Sequence, residues 1–223
     1  QSPEPELEAA AAAPAVEKES TMASIKGALS YRNLVFGVIA IFLYVGIEVG
    51  VPNVANLYMT SADGLGMAAG VAGTLVGAYW FLMLIGRLIG GVLGGKVSSR
   101  SMMVVVASTA IVFLLCAMFF PETVKMNFLG ANVPVSIVFF VLCGLCTSVM
   151  WGAIFNLAVE GLGKYTSIAS GLFMVMVCGG GILPFVQGAV ADVTGYIQSY
   201  WVLVAALVYM LWFAVSGSKV KKA

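Results

Sequence analysis

The 223-residue sequence contains no histidine. Its absence excludes Ser–His and Cys–His catalytic pairs, imidazole metal ligands and imidazole proton relays. No loop groups a nucleophile with a base or with metal ligands. We therefore expect no enzymatic activity, no metal site and no cofactor.

Charged residues are also scarce, at 9% of the chain, whereas hydrophobic residues make up 61%. A soluble domain of this length would have too few polar side chains for its surface. The composition therefore predicts an integral membrane protein surrounded by lipid bilayer. The net charge is only +1 and the basic residues are scattered among loops, so no nucleic-acid partner is expected.

Cysteine is sparse as well, with four residues that all lie in apolar runs: Cys116, Cys143, Cys146 and Cys178. Cys143 and Cys146 have C-x-x-C spacing, but no polar residues flank them. Small apolar fillers are favoured over a redox or metal-binding pair.

Six apolar segments follow a polar N-terminal stretch, and each is long enough to cross a bilayer. Residues 1–30 are rich in Pro, Glu and Ala and read as a largely disordered linker, with a short amphipathic piece at 22–29. Because the chain begins with Gln1 rather than Met, we expect it to be part of a longer protein. The predicted spans are 34–58, 67–94, 101–120, 133–158, 167–191 and 196–216, within a membrane unit at 31–223.

Basic residues orient this layout with both termini in the cytoplasm. Nine then lie on the inner side, against Lys125 alone outside; the nine are Lys18, Lys26, Arg32, Lys96, Arg100, Lys164, Lys219, Lys221 and Lys222. Such an excess is the positive-inside pattern, and an odd number of spans would destroy it. The sequence thus predicts an all-α, six-helix protein of the cytoplasmic membrane.

Glu48, near the middle of the first span, is the most informative residue. A carboxylate at this depth costs about 2.5–3.5 kcal/mol on insertion scales, so it is usually kept facing a bundle interior or a watery cavity. A purely structural role, in which Glu48 pairs with another buried polar group, is the alternative. Arg87 on the second span is a candidate partner, and we also assign it a mechanical role near the inner gate.

Proline and glycine predict irregular helices near mid-depth. Pro52 lies in the first span, and a Gly179–Gly181 triplet precedes Pro184 in the fifth. We predict helix breaks at Pro52, Gly180 and Pro184, which point to a transporter binding region unless they serve packing alone. Glycines four residues apart in and just after the second span predict close helix approach; the pairs are Gly73/Gly77, Gly86/Gly90 and Gly91/Gly95.

Polar side chains recur at helical spacing inside the spans. Hydroxyls, amides and a carboxylate can hydrogen-bond sugar hydroxyls, and aromatic rings can stack on the apolar face of a pyranose. The same residues could serve only interhelical hydrogen bonds, which are worth about 0.6 kcal/mol each in membranes. The candidate substrate-binding residues are Tyr44, Glu48, Asn53, Asn56, Tyr79, Thr147, Trp151 and Gln187.

The loop after the second span carries a family resemblance. Gly91-Val-Leu-Gly-Gly-Lys96-Val-Ser-Ser-Arg100 resembles the cytoplasmic motif G-x-L-x-D-R-x-G-R of the major facilitator superfamily. Matching positions are Gly91, Leu93, Lys96 and Arg100, whereas Gly95 stands where the motif has aspartate. The resemblance implies a gating role for this loop.

A closer resemblance is to the C-terminal half of the fucose and glucose/galactose proton-symporter branch. It rests on five stretches: Phe42-Leu-Tyr-Val-Gly-Ile-Glu48-Val-Gly50, Tyr79-Trp80 through Gly86-Arg87-Leu-Ile-Gly-Gly91, Ile154-Phe-Asn-Leu-Ala158, Gly161-Leu-Gly-Lys-Tyr-Thr166, and Gly179-Gly-Gly-Ile-Leu-Pro184 with Gly188 and Asp192. The resemblance implies half of a twelve-span fold, a missing N-terminal six-helix half as partner, and alternating access driven by H⁺ with a sugar as substrate. It also implies that the proton-carrying acids lie mainly in the other half.

Two other functions remain open at this point. The chain could belong to an exporter of another solute in the same superfamily. It could also be a membrane assembly subunit without transport activity. The sequence does not distinguish H⁺ from Na⁺ coupling or one sugar from another.

Overall fold

The computed structural model describes residues 21–220, and within them six helices are long and apolar enough to span a membrane. A short helix, Thr21–Leu29, precedes them at the predicted amphipathic piece. The six spans are Arg32–Thr60, Ala69–Leu93, Ser99–Phe119, Ser136–Val159, Gly163–Thr194 and Tyr196–Gly217. The predicted number of spans is confirmed. The first 20 residues of the linker predicted for 1–30 lie outside the described residues.

The first span lies at the centre of the bundle. It packs against the fourth, fifth and sixth spans and is buried along most of its length. The second and third spans pack against the fourth, and the sixth packs against the third. The third and sixth spans each expose one apolar stripe at seven-residue spacing: Val105, Val112 and Phe119, and Trp201, Val208 and Val215. Such stripes face lipid in a membrane helix.

The predicted break at Pro52 is wrong, because the first span is one helix from Arg32 to Thr60. The fifth span is interrupted, but at residues 177–178, between helices Thr166–Met176 and Gly179–Thr194. Gly180 and Pro184 therefore lie inside the second of these helices rather than at the break. Gly179 and Gly180 serve another purpose, which is close packing against the first span.

Gly179 lies directly against the first span. A Cβ atom at this position would be 2.0 Å from the Phe42 carbonyl oxygen. Gly46 meets the Leu183 side chain in the same way on the opposite helix. Since lipid provides little hydrophobic drive for helix association, such close backbone approach supplies the packing that joins the two spans.

The glycines of the second span divide into two groups. Gly86 and Gly90 approach Ser148 and Val149 of the fourth span, as their spacing predicts. The members of the other two predicted pairs have no neighbouring atom within 4 Å of a hypothetical Cβ: Gly73, Gly77, Gly91 and Gly95. The close approach predicted for these four is therefore not made within the described part of the chain.

A break in the fourth span was not predicted. Its two helices, Ser136–Thr147 and Met150–Val159, are separated at residues 148–149. The Thr147 hydroxyl bonds the Cys143 and Gly144 carbonyls, and the Ser148 hydroxyl donates to the Leu145 carbonyl. Hydroxyl groups that bond the preceding turn compete with the helical backbone pattern. The adjacent Thr147 and Ser148 were thus the available signal.

The longest loop contains a β-hairpin, formed by Lys125–Phe128 and Ala131–Pro134. Leu129 and Gly130 form its two-residue turn, with φ of 50° and 79°. Positive φ at both positions is the geometry of a type I′ turn, which favours Asn-Gly. Leu129 is instead a 67% exposed apolar side chain in a conformation that costs most L-residues about 1–2 kcal/mol.

Replacing Leu129 with asparagine is expected to raise the free energy of unfolding by about 1 kcal/mol, because asparagine tolerates the left-handed region. Thermal unfolding of the detergent-solubilised protein measures the change. Leu129→Ala is the matched control: it removes the same apolar group but keeps the conformational cost. An equal gain from alanine would assign the effect to lost apolar exposure rather than to the backbone.

Candidate functional site

The structure joins Glu48 and Arg87 in an ion pair between the first and second spans. Arg87 Nη2 donates to Glu48 Oε1 at 2.8 Å. The Glu48 side chain is 14% exposed, whereas that of Arg87 is 54% exposed on a helix of otherwise apolar character. The predicted pairing is confirmed. A half-exposed guanidinium at this position in a membrane span requires a polar surrounding, either water or another protein surface.

Pro52 explains how the backbone beside Glu48 is arranged. Proline has no N–H, so the helical hydrogen bond to the carbonyl four residues earlier, that of Glu48, cannot form. The Tyr79 hydroxyl donates to this carbonyl at 3.0 Å and lies 3.2 Å from the Thr147 hydroxyl. The helix therefore continues through Pro52 because a side chain from the second span replaces the missing donor.

Tyr79→Phe is expected to destabilise the protein by about 1–3 kcal/mol, since it leaves the Glu48 carbonyl buried without its donor. In a Pro52→Ala background the restored amide at position 52 bonds this carbonyl, and the cost of Tyr79→Phe is expected to fall. A double-mutant cycle by thermal unfolding measures the coupling.

Tyr200 supplies a control for this cycle. Its hydroxyl donates to the neighbouring Val51 carbonyl at 2.8 Å, whose helical partner is not a proline. The cost of Tyr200→Phe should be the same with Pro52 or with alanine at that position. If both tyrosines showed the same coupling energy with position 52, a specific link between Tyr79 and Pro52 would be contradicted.

The predicted substrate-binding residues separate into accessible and buried groups. Asn53 is exposed, and Glu48, Asn56 and Trp151 are partly exposed. Tyr44, Tyr79, Thr147 and Gln187 are fully or almost fully buried. Tyr44 packs edge-on against Trp151, with ring centroids 6.1 Å apart. The buried group thus lies behind the accessible one.

Gln187 has an unusual environment within the buried group. Neither polar atom of its amide hydrogen-bonds any residue between 21 and 220. A Cβ on Gly50 would lie 2.7 Å from Gln187 Oε1, so glycine at position 50 makes room for the amide. The residue is held between the first and fifth spans, apart from the ion pair.

Arg87 also borders a cavity of about 240 Å³ that extends away from Glu48 toward the loop after the second span. Gly91 and Asn156 line it as well, and Asn156 donates to the Ser99 hydroxyl at 3.3 Å. Lys96 is exposed, and Arg100 lies 3.4 Å from the Ser218 hydroxyl near the end of the sixth span. The loop motif is therefore linked to the cavity that Arg87 borders.

Asn33 is a structural residue that the sequence interpretation missed. It is fully buried, and its side-chain amide donates to the Ala158 and Glu160 carbonyls at 2.9 Å each. The bonds satisfy carbonyls left free at the C-terminal end of the fourth span. An amide in the first turn of an apolar span, at the predicted membrane entry, was the available signal.

Between residues 21 and 220, no group of three or more Cys, Asp or Glu side chains could hold a metal ion. The four cysteines are all free.

Comparison with known proteins places these features in context. Residues 2–184 match the model of the Major Facilitator Superfamily. Glucose/galactose transporters from two Brucella abortus strains are 30% identical over 192 residues, which cover 86% of this chain and 44% of the relatives. The L-fucose-proton symporter of Escherichia coli is 27% identical over 196 residues, covering 88% and 41%. The chain thus spans less than half the length of these relatives.

Solved structures show the same fold. A crystal structure of the E. coli fucose:proton symporter aligns with a TM-score of 0.74 at 24% identity, over 86% of this chain and 44% of the other. A crystal structure of this transporter in the outward conformation aligns with a TM-score of 0.70, over 82% and 42%.

Proposed function

Since the chain belongs to the major facilitator superfamily, we propose that it is the C-terminal six-helix half of a secondary active sugar transporter. Its substrate is a hexose or deoxyhexose, and alternating access carries this sugar across the cytoplasmic membrane. The Glu48–Arg87 pair is the observation that carries the proposal. Both charges lie within apolar spans, and the exposed guanidinium needs the polar cavity that a transport pathway provides.

The partner in this proposal is an N-terminal half of similar size. The relatives are about twice as long as the matched region. The second span presents a glycine face whose hypothetical Cβ atoms meet nothing within 4 Å, at Gly70, Gly73, Gly77 and Gly91; the fifth does so at Gly171, Gly181 and Gly188. Small residues allow backbones to approach closely, so these faces suit another set of membrane helices.

The residues around the ion pair have two proposed roles. Glu48, Asn53, Asn56 and Trp151 contact the sugar, because they are the accessible polar or aromatic groups of the set. The buried group fixes their positions: Tyr79, whose hydroxyl also bonds Thr147, holds the Glu48 carbonyl, and Tyr44 supports the Trp151 ring. The amide of Gln187, between the first and fifth spans, is available to donate and to accept further hydrogen bonds.

Arg87 has a proposed gating role. It holds Glu48 on one side and borders the cavity that leads to Gly91 on the other. The basic loop residues Lys96 and Arg100 then lie at the cytoplasmic end of the gate, in the orientation that the excess of inner Lys and Arg predicts.

Transport by the full-length protein in liposomes tests the function. An inward H⁺ gradient is expected to drive accumulation of labelled glucose, galactose or fucose, and an uncoupler should abolish it. Counterflow without a gradient measures exchange independently of coupling. Uptake that depends on a Na⁺ gradient instead would identify Na⁺ as the coupling ion. Absence of exchange for all three sugars would overturn the proposed substrate class and favour an exporter or an assembly subunit.

A further inference from the structure

The structure contains an apolar groove that adjoins the cavity bordered by Arg87 but is lined by neither Arg87 nor Glu48. Its volume is about 390 Å³, within the range of ligand-binding cavities. Apolar side chains or glycine line it almost throughout, and its main members are Gly86, Ile89, Leu93, Val97, Val105 and Leu145. It runs between the second, third and fourth spans, next to the loop that joins the second span to the third.

The groove opens toward lipid rather than toward the proposed partner half. Val105 belongs to the exposed stripe of the third span, and Ile89 and Leu93 are exposed beside it. On the second span, Ile89 and Leu93 are each two residues away from Gly91. A step of two residues turns about 200° around a helix, so the groove and the glycine face lie on opposite sides.

A cation, Lys96, adjoins the groove in the sequence. Residues 94–101, which form the loop and the first turn of the third span, include Lys96 and Arg100 and no acidic residue. Arg100 is directed elsewhere, since it lies near Ser218 and lines a different cavity with Glu160. Lys96 is exposed, has no ion pair among residues 21–220, and directly precedes the groove residue Val97.

We propose that this groove binds one acyl chain of an anionic phospholipid of the inner leaflet, with the phosphate held near Lys96. An apolar groove on a lipid-facing flank fits a hydrocarbon chain, and the adjoining cation complements the headgroup. The assignment of the lipid to the inner leaflet rests on the orientation of the chain given under the proposed function. The anionic inner leaflet attracts basic residues near the membrane surface in the same way.

Thermal unfolding of the delipidated full-length protein tests the headgroup. Phosphatidylglycerol is expected to raise the melting temperature by about 2–4 °C more than phosphatidylcholine with the same acyl chains. Lys96→Gln should abolish this difference. Lys219→Gln removes an exposed cation from the same predicted side of the membrane and should preserve it. Equal shifts with both lipids, or equal effects of both substitutions, would reduce the interaction to non-specific lipid contact and overturn the proposal.

A second pair of variants tests the groove. Val105→Trp places an indole in it and should remove the phosphatidylglycerol shift. Val112→Trp alters the same exposed stripe two turns away, outside the groove, and should not. If Val105→Trp does not fold, Val97→Phe fills the groove from its other end. Retention of the full shift in the filled variants would overturn the acyl-chain assignment.

The lipid proposal and the transport proposal are tested by independent measurements, so either can be wrong without the other. Sugar exchange in the same preparations reports on transport, whereas the lipid-dependent melting difference reports on the groove. Light scattering at several protein concentrations identifies a further alternative. If dimers form and disappear with Val105→Trp, a second copy covers the groove and the lipid assignment is wrong.

Discussion

Replacing Glu48 with glutamine in the full-length protein is expected to weaken the affinity for the proposed sugar substrate by roughly 10- to 100-fold. Hydrogen bonds to a charged group contribute about 1.5–3 kcal/mol, and about 1.4 kcal/mol corresponds to a tenfold change. Glutamine keeps the shape of the side chain but removes the charge that holds Arg87 at 2.8 Å. Equilibrium binding and counterflow in liposomes measure the affinity.

Different outcomes separate the roles that Glu48 could have. Loss of binding and exchange together supports sugar contact. Retained binding with loss of pH-driven accumulation would instead identify Glu48 as a coupling residue. Unchanged transport with a reduced yield of folded protein would leave it a packing role and support the assembly-subunit alternative. Glu160→Gln is the control, because Glu160 is exposed at the end of the fourth span and away from the ion pair.

Arg87→Ala in the same assays distinguishes the gate from the site. If Arg87 only fixes Glu48, both single variants and the double variant should lose similar affinity, because they break the same interaction. If Arg87 also acts at the gate, its loss should slow exchange further when Glu48 is already glutamine. Its exposure of 54% argues against a large effect on folding, since screened ion pairs contribute little stability.

Gly179→Ala is expected to destabilise the protein by about 1–3 kcal/mol, which is the usual cost of forcing extra atoms into a packed contact. The new methyl group would lie 2.0 Å from the Phe42 carbonyl, and a backbone atom cannot move aside as a flexible side chain can. Thermal unfolding and the yield of monodisperse protein measure the loss.

Gly181→Ala provides a matched control two residues further along the same helix. A Cβ at this position meets nothing within 4 Å, so its effect on the free energy of unfolding should stay within about 0.5 kcal/mol. A similar loss from both substitutions would mean that helix flexibility, rather than contact with the first span, is the reason for the glycine triplet. The full-length protein adds a further readout, because Gly181 belongs to the face proposed to meet the partner half.

The positions of the spans could be predicted because bilayer thickness imposes a length and a composition on each one. Glu48 and Arg87 were recognisable because charges are rare in such segments. Local backbone geometry was less predictable. Pro52 considered alone predicts a helix break, but Tyr79, 27 positions later, supplies the missing hydrogen bond. Long-range compensation of this kind leaves no periodic pattern in the sequence.

Which of the polar residues are buried and which are accessible could also not be predicted from the sequence. Tyr44 and Glu48 share a helix face at a spacing of four residues, yet Tyr44 is buried while Glu48 remains partly accessible. Helical periodicity predicts which face a residue occupies, but the neighbouring spans decide how far it is covered. Burial of Gln187 similarly depends on Gly50, which belongs to another span.

The bond between Tyr79 and the Glu48 carbonyl has a consequence for motion. If the first and second spans separate at this level, the carbonyl loses its donor, and Pro52 prevents the helix from replacing it. An unsatisfied carbonyl within a membrane costs several kcal/mol, so a water molecule must take the place of the hydroxyl. Opening between these spans and hydration of the Glu48 carbonyl are therefore a single event, and the two spans stay together where water is excluded.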